Sequence, residues 1–151
     1  MEFKKRQVSL AESLIGIEDI ANQIKRDGHA PDTIIAIAKG GLIPARFLAK
    51  HLNIREIYSI GIKFYSDVGE TMRVPKVYQD LPRTIRGSTA LICDDILDSG
   101  DSIRVAMEEA VEAGCSKIIT CSLHYKPRSK YKPNYLYEEI DNNIWIEYDW
   151  E

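Results

Sequence analysis

The sequence is short of cysteine. Three are spread over 151 residues (Cys93, Cys115 and Cys121), an odd number with no C-x-x-C spacing. A disulfide scaffold or a zinc ribbon is excluded, and a reducing cytoplasm is the simpler setting. No apolar run approaches the ~18 residues of a membrane span. Met1–Arg6 is basic, but no apolar h-region follows it, so no secretory signal is expected. An excess of positive charge is missing too: Lys and Arg total 20 against 23 Asp and Glu, a net of −3, which argues against nucleic acid as a partner. Internal repeats, low-complexity stretches and linkers are absent. Neither G-x-x-x-x-G-K-[ST] nor G-x-G-x-x-G occurs, which removes the two commonest nucleotide-binding fingerprints.

What is there reads as one globular domain over residues 1–151, with 44% hydrophobic and 28% charged residues. Ser9 and Glu12 make a capping box. Leu14, Ile17, Ala21 and Ile24 then recur at three- and four-residue spacing up to Gly28, which predicts a helix. Thr33–Ala38, Thr89–Cys93 and Lys117–Ser122 are continuous β-branched or apolar runs, the pattern of strands buried on both faces. Ile54–Ile62 reads as another strand. Helices are expected from about Pro44 to Leu52 and from Ile103 to Ala113. Strands alternating with helices predict an α/β fold: an open, doubly wound, mostly parallel sheet with helices on both faces. Lys63–Gly87 has no sustained period and holds several turn formers, so a loop or hairpin of unusual length is expected there.

In such sheets ligands bind beyond the carboxyl ends of the strands. Two segments fall there, Lys39-Gly40-Gly41 and Asp94–Ser102. The second joins a buried strand to two adjacent acids, Asp94 and Asp95, then to Asp98-Ser99-Gly100-Asp101-Ser102, then to a helix. Small residues at a helix N-terminus present backbone N–H groups to a phosphate, and Ser99 and Ser102 add hydroxyl donors. Paired carboxylates accept hydrogen bonds from sugar hydroxyls or hold Mg²⁺ through water. An EF-hand is excluded because Ile96 breaks the alternation of acids. The combination suits a ribose 5-phosphate. At the first segment, two glycines let the backbone approach an anion, and Lys39 brings charge.

Leu91–Ile103 resembles the phosphoribosyl-pyrophosphate (PRPP) signature of type I phosphoribosyltransferases. Lys39-Gly40-Gly41 resembles that family's pyrophosphate loop. His124-Tyr-Lys-Pro127 and the terminal Trp145-Ile-Glu-Tyr-Asp-Trp-Glu151 resemble the 6-oxopurine branch, the xanthine-guanine and hypoxanthine-guanine enzymes, with Asp149 where a Pro is common. The resemblance implies transfer of a phosphoribosyl group from PRPP to a purine base, giving a nucleoside monophosphate and pyrophosphate, with Mg²⁺ as cofactor. It implies Asp94 and Asp95 on the ribose hydroxyls or the metal, Asp98 as general acid/base, and Ser99, Gly100, Asp101 and Ser102 around the 5′-phosphate. Asp101 departs from the small or basic residue usual there and must point outward. Lys126 would donate to the purine O6, Trp145 would stack on the ring, and the backbone of Trp145 and Ile146 would read the 2-position. A non-proline cis peptide is expected between Lys39 and Gly40. Residues 63–87 match the mobile hood loop and 123–151 the base-recognition tail. A cytoplasmic homodimer or homotetramer is implied. Two other readings stay open: a PRPP- or nucleotide-binding regulatory protein of the same fold, and a phosphoribosyltransferase for another base. Arg73, Lys76, Arg83, Arg86 and the basic run Lys126–Lys132 read, Lys126 apart, as solvated loop charge.

Overall fold

The computed structural model describes residues 2–66 and 73–151. The elements run β1 (Lys4–Val8), α1 (Leu10–Arg26), β2 (Thr33–Ala38), α2 (Leu42–Leu52), β3 (Glu56–Tyr65), β4 (Val74–Gln79), a 3-10 turn (Arg83–Ile85), β5 (Thr89–Leu97), α3 (Asp101–Glu112), β6 (Lys117–Tyr125), β7 (Tyr135–Glu139) and β8 (Ile144–Tyr148). One half of the capping box forms: Ser9 Oγ accepts from the Glu12 N–H at 3.1 Å, while the Glu12 carboxylate pairs with Arg6 at 2.9 Å. Ile17, Ile20, Ala21 and Ile24 form the buried stripe of α1. No helix among the described residues is long and apolar enough to cross a membrane.

Six strands form one sheet in the order β4-β3-β2-β5-β6-β7, parallel except for β4. Successive side chains of each strand face opposite layers. Ile34, Ala36, Leu91, Cys93, Ile119 and Cys121 pack under α1 and α2. Ile35, Ile37, Ala90 and Ile92 pack under α3, against Ile103, Ala106 and Ala110. Helices therefore cover both faces, as expected. The chain leaves β2 toward β3 on one side and β5 toward β6 on the other. The β2/β5 boundary is the topological switch point, where a ligand crevice opens.

Three regions take shape beyond what the sequence reading specified. Of the loop or hairpin expected over Lys63–Gly87, the hairpin form is what occurs. Lys63, Phe64 and Tyr65 pair antiparallel with Lys76, Pro75 and Val74, making a two-stranded arm at the sheet edge, the one place a strand tolerates a proline. The arm was hidden because β4 is mostly exposed and carries no buried stripe. Residues 67–72, the centre of the expected hood loop, lie outside the described residues. The tail from Leu123 is also ordered into strands, as β6 extends to Tyr125 and β7 follows on the sheet edge. Finally, β1 and β8 form a separate two-stranded parallel sheet, with Lys5 opposite Trp145 and Arg6 opposite Ile146. Its inner residues Val8, Ile146 and Tyr148 join the α1/α2 side of the core.

Candidate active site

β2 and β5 are adjacent, so their two terminal loops meet at the switch point. Gly40 packs directly on Asp95: a Cβ at Gly40 would lie 2.4 Å from Asp95 Oδ2. Only a glycine permits that approach. Gly41 is buried and starts α2, while Lys39 is exposed. A cavity of about 670 Å³ lies over this junction, lined by Ala38, Lys39, Gly40, Asp94, Asp95, Ser102, Trp150 and Glu151 among others. That is within the size range of small-molecule sites, ~300–1,000 Å³. The loop does hold a non-proline cis peptide, but between Ala38 and Lys39, one bond earlier than expected.

Asp94 and Asp95 lie inside β5, which runs on to Leu97. The Asp95 N–H donates to Asp94 Oδ1 at 2.8 Å, and Ile96 N–H to Asp95 Oδ1 at 2.7 Å. Burial pushes both carboxyls above the usual range, and their mutual charge pushes Asp94 further. Two adjacent acids without a cation do not ionise together cheaply. The indole N–H of Trp150 opposes this by donating to Asp95 Oδ2 at 3.3 Å. Tyr148 donates its hydroxyl to the Asp95 carbonyl at 3.1 Å and stacks on Trp150. Since that hydroxyl has one proton, it accepts from His124 Nδ1, 2.7 Å away.

A second cavity, of about 100 Å³, adjoins the first through Asp94 and Ser102 and is lined by Asp98, Ser99, Gly100 and Ile103. Gly100 has φ +85 and opens α3 with no side-chain cap, leaving the first-turn N–H groups of the helix facing this space. Ser99 Oγ bonds both the Asp101 N–H and the Asp101 carboxylate, each at 3.2 Å. Asp101 does not simply point outward. It pairs with Lys130 at 3.1 Å. Burial would raise its pKa, but the hydrogen bonds from Lys130 and Ser99 and the Lys130 charge bring it below the ordinary value. Its negative charge is thereby balanced beside the start of α3.

Lys126 stands just past β6, 1% exposed, with Nζ 3.6 Å from Asp98 Oδ2. Burial lowers its pKa, and Asp98 opposes the shift. Arg128 holds the other Asp98 oxygen through Nε and Nη2, both at 2.5 Å. Lys126 is buried, while Arg128 and Lys130 stay exposed as expected of loop charge; all three nevertheless pair with the acids Asp98 and Asp101. The two-residue spacing of the cations facing a D-x-x-D was the available signal. Trp145 stands on β8, 48% exposed. Ile146 is buried in the core, with its backbone in the β1/β8 pairing. Among the described residues β8 pairs with no strand other than β1. Arg83 lies away from the site, donating to the Glu112 carbonyl at the far end of α3. Arg86 packs on Gly114, and Arg73 lies over Phe64. Tyr148, Trp150, Arg128 and Phe3, which meets Lys126 and Trp145, are the site residues that sequence reasoning missed. Tyr148 and Trp150 lay within the terminal Trp145–Glu151 motif without being singled out, and for Phe3 no motif or spacing pointed to it.

A carboxylate pair and a glycine-opened helix at the switch point define a doubly wound α/β fold with a small-molecule crevice at its strand ends. The chain belongs to the phosphoribosyl transferase domain family, whose model matches residues 8–151. It is 31% identical, over 78% of its length and 67% of the relative's, to a xanthine-guanine phosphoribosyltransferase of Gluconobacter oxydans. Its fold matches the crystal structure of a purine phosphoribosyltransferase from Pyrococcus horikoshii (TM-score 0.83, 28% identity, 96% of this chain and 94% of that one). It also matches a hypothetical protein from Neisseria gonorrhoeae with bound ppGpp (TM-score 0.86, 26% identity, 100% and 90%).

Proposed function

We propose that this protein transfers the 5-phosphoribosyl group of PRPP to a ring nitrogen of a 6-oxopurine, releasing pyrophosphate and a nucleoside monophosphate for purine salvage. The observation that carries this reading is the Lys126–Asp98–Arg128 cluster beside the Gly100 phosphate loop. It joins a cation suited to an oxo group, an acid suited to a purine proton, and a cradle suited to the 5′-phosphate.

The reaction passes through an oxocarbenium-like sugar, so alignment and charge placement dominate. In this reading the α3 N-terminus, Ser99 and Ser102 hold the 5′-phosphate. Lys39 and the Gly40-Gly41 backbone receive the pyrophosphate. Asp94 and Asp95 take the ribose hydroxyls and favour positive charge on the ring. Asp98 exchanges the purine proton. Lys126 donates to O6, Trp145 stacks on the base, and the backbone near Ile146 reads its 2-position. The carboxylate pair also suits Mg²⁺, since its raised pKa values mark an uncompensated negative site. No cluster of three or more metal-ligating acids, histidines or cysteines occurs among the described residues. The donor set therefore fits an ion held by one or two carboxylates together with substrate oxygens. Bound there, Mg²⁺ would neutralise charge on the leaving pyrophosphate. The unpaired cysteines are in keeping with a reducing cytoplasm. A homodimer or homotetramer remains part of the proposal, and light scattering tests it.

The experiment is a panel assay of PRPP and Mg²⁺ with guanine, hypoxanthine, xanthine, adenine and uracil, following pyrophosphate release. Turnover with the 6-oxopurines is expected. No turnover with any base, despite PRPP or nucleotide binding, would move the protein to a regulatory role. Turnover with adenine or uracil alone would reassign the base.

A further inference from the structure

One side chain outside every motif stands on the ground the base needs. The Phe3 ring lies 5.3 Å from Lys126 Nζ and 5.9 Å from the Arg128 guanidinium carbon. It meets the Trp145 ring edge to face, with centroids 5.9 Å apart and planes at 72°. One benzyl group thus touches the cation assigned to the purine oxo group, the indole assigned to stack on the base, and the arginine that grips Asp98. Lys126 is 1% exposed, and its ammonium has this ring as one neighbour and Asp98 as another. The ring itself is loosely held. Phe3 precedes β1 and is 41% exposed, and the last backbone anchor is the Lys4 N–H donating to the Asn143 carbonyl at 2.8 Å.

We propose that Phe3 is a determinant of base affinity: its ring occupies the base cleft of the free protein, and the purine displaces it. This rests on the phosphoribosyl-transfer reading above. The chemistry of the exchange is matched. Phe3 offers a π-face to cations and an edge to an indole. A purine offers a larger face to Trp145 and adds an oxo acceptor for Lys126, which the phenyl ring lacks. A cover of this kind lowers the apparent affinity for the base in proportion to the fraction of time the cleft is open. It leaves the ribose-phosphate cavities untouched, because Phe3 lines neither of them.

The test is calorimetric titration of wild type, Phe3→Ala and Phe3→Leu with GMP, which carries base and ribose phosphate, and with ribose 5-phosphate, which lacks the base. Phe3→Ala should bind GMP roughly 3–10-fold tighter, with ribose 5-phosphate changed by less than about twofold. Phe3→Leu, which keeps apolar bulk without the π-face, should fall between. The KM for guanine should drop in step with the GMP result. Weaker GMP binding by Phe3→Ala would make Phe3 a wall of the site and overturn the proposal. So would unchanged GMP binding, or an equal change for both ligands. Wild type binding neither ligand would instead bring down the phosphoribosyl reading itself.

Discussion

The indole of Trp150 donates to Asp95 Oδ2 at 3.3 Å while its ring lies on Tyr148, centroids 4.7 Å apart and planes 8° from parallel. The end of the chain thus fixes the second acid of the PRPP motif from across the cleft. Trp150→Phe keeps the stack and removes the donor. A hydrogen bond of this length to the buried carboxylate is worth about 1 kcal/mol, so the KM for PRPP should rise roughly fivefold. The KM for the purine should stay unchanged. Asp95 loses a bond that holds its pKa down, so the acid limb of kcat/KM for PRPP should move to higher pH. Steady-state kinetics with each substrate varied, across pH, checks both.

Gly40→Ala tests the contact between the two loops. The added methyl would meet the Asp95 carboxylate at 2.4–2.6 Å. Asp95 is 8% exposed, hemmed in by Gly40 and Trp150, so the clash displaces either the acid or the loop. Overpacking of this kind costs about 1–3 kcal/mol. The melting temperature should fall modestly, while kcat/KM for PRPP should fall by two orders of magnitude or more, on the scale of misplaced reacting groups. Wild-type kinetics in Gly40→Ala would show that the loops do not act together.

Asp98 is held by Lys126 at 3.6 Å and Arg128 at 2.5 Å. Asp98→Asn keeps the shape and removes the proton exchange. Turnover should drop by about 10²–10⁴ with little change in PRPP affinity. Lys126→Met keeps the buried stem and removes the donor, and should chiefly raise the KM for a 6-oxopurine. Equal losses of turnover and PRPP affinity in Asp98→Asn would assign that acid to sugar binding instead.

His124 gives the protein an acid sensitivity of its own. Burial drives its pKa down to about 4 despite the nearby Glu138 carboxylate. Its Nε2 has no hydrogen-bond partner, and Glu138 is engaged by Arg6. The unfolded chain takes a proton on this residue as pH falls through ~6.5, and the folded chain takes it only near 4. Stability should therefore decline between those values, by up to roughly 3 kcal/mol, and level off below. His124→Phe removes this component. Urea unfolding at several pH values should give a flatter profile for the variant across that window. Parallel profiles would mean that His124 is already charged in the folded protein.

Much of the fold was legible locally. The buried runs Thr33–Ala38, Thr89–Cys93 and Lys117–Ser122 became the three central strands because a strand covered on both faces must be apolar at every position. The Ser9 box and the stripe behind it became α1. Strands β1, β4, β7 and β8 were not legible. They are short, lie at edges or in the small second sheet, and present mixed faces, so their order comes from partners distant in sequence rather than from any period of their own.

The site divides the same way. The strand–acid–acid–D-S-G-D-S string determined its own local geometry, because a glycine that adopts positive φ without strain lets the chain turn from the strand directly into α3. The sequence by itself therefore determined the α/β class, the two loops at strand ends, and the acids that line them. Only the tertiary structure decided that Gly40 touches Asp95, that Trp150 and Tyr148 reach back to the same acid, and that Lys126, Arg128 and Lys130 pair with Asp98 and Asp101. It also decided that Phe3 meets Trp145. These pairs are separated by up to 142 positions in the chain (Phe3 to Trp145). Their meeting depends on sheet order and on the parallel pairing of β1 with β8, long-range choices that no local pattern encodes.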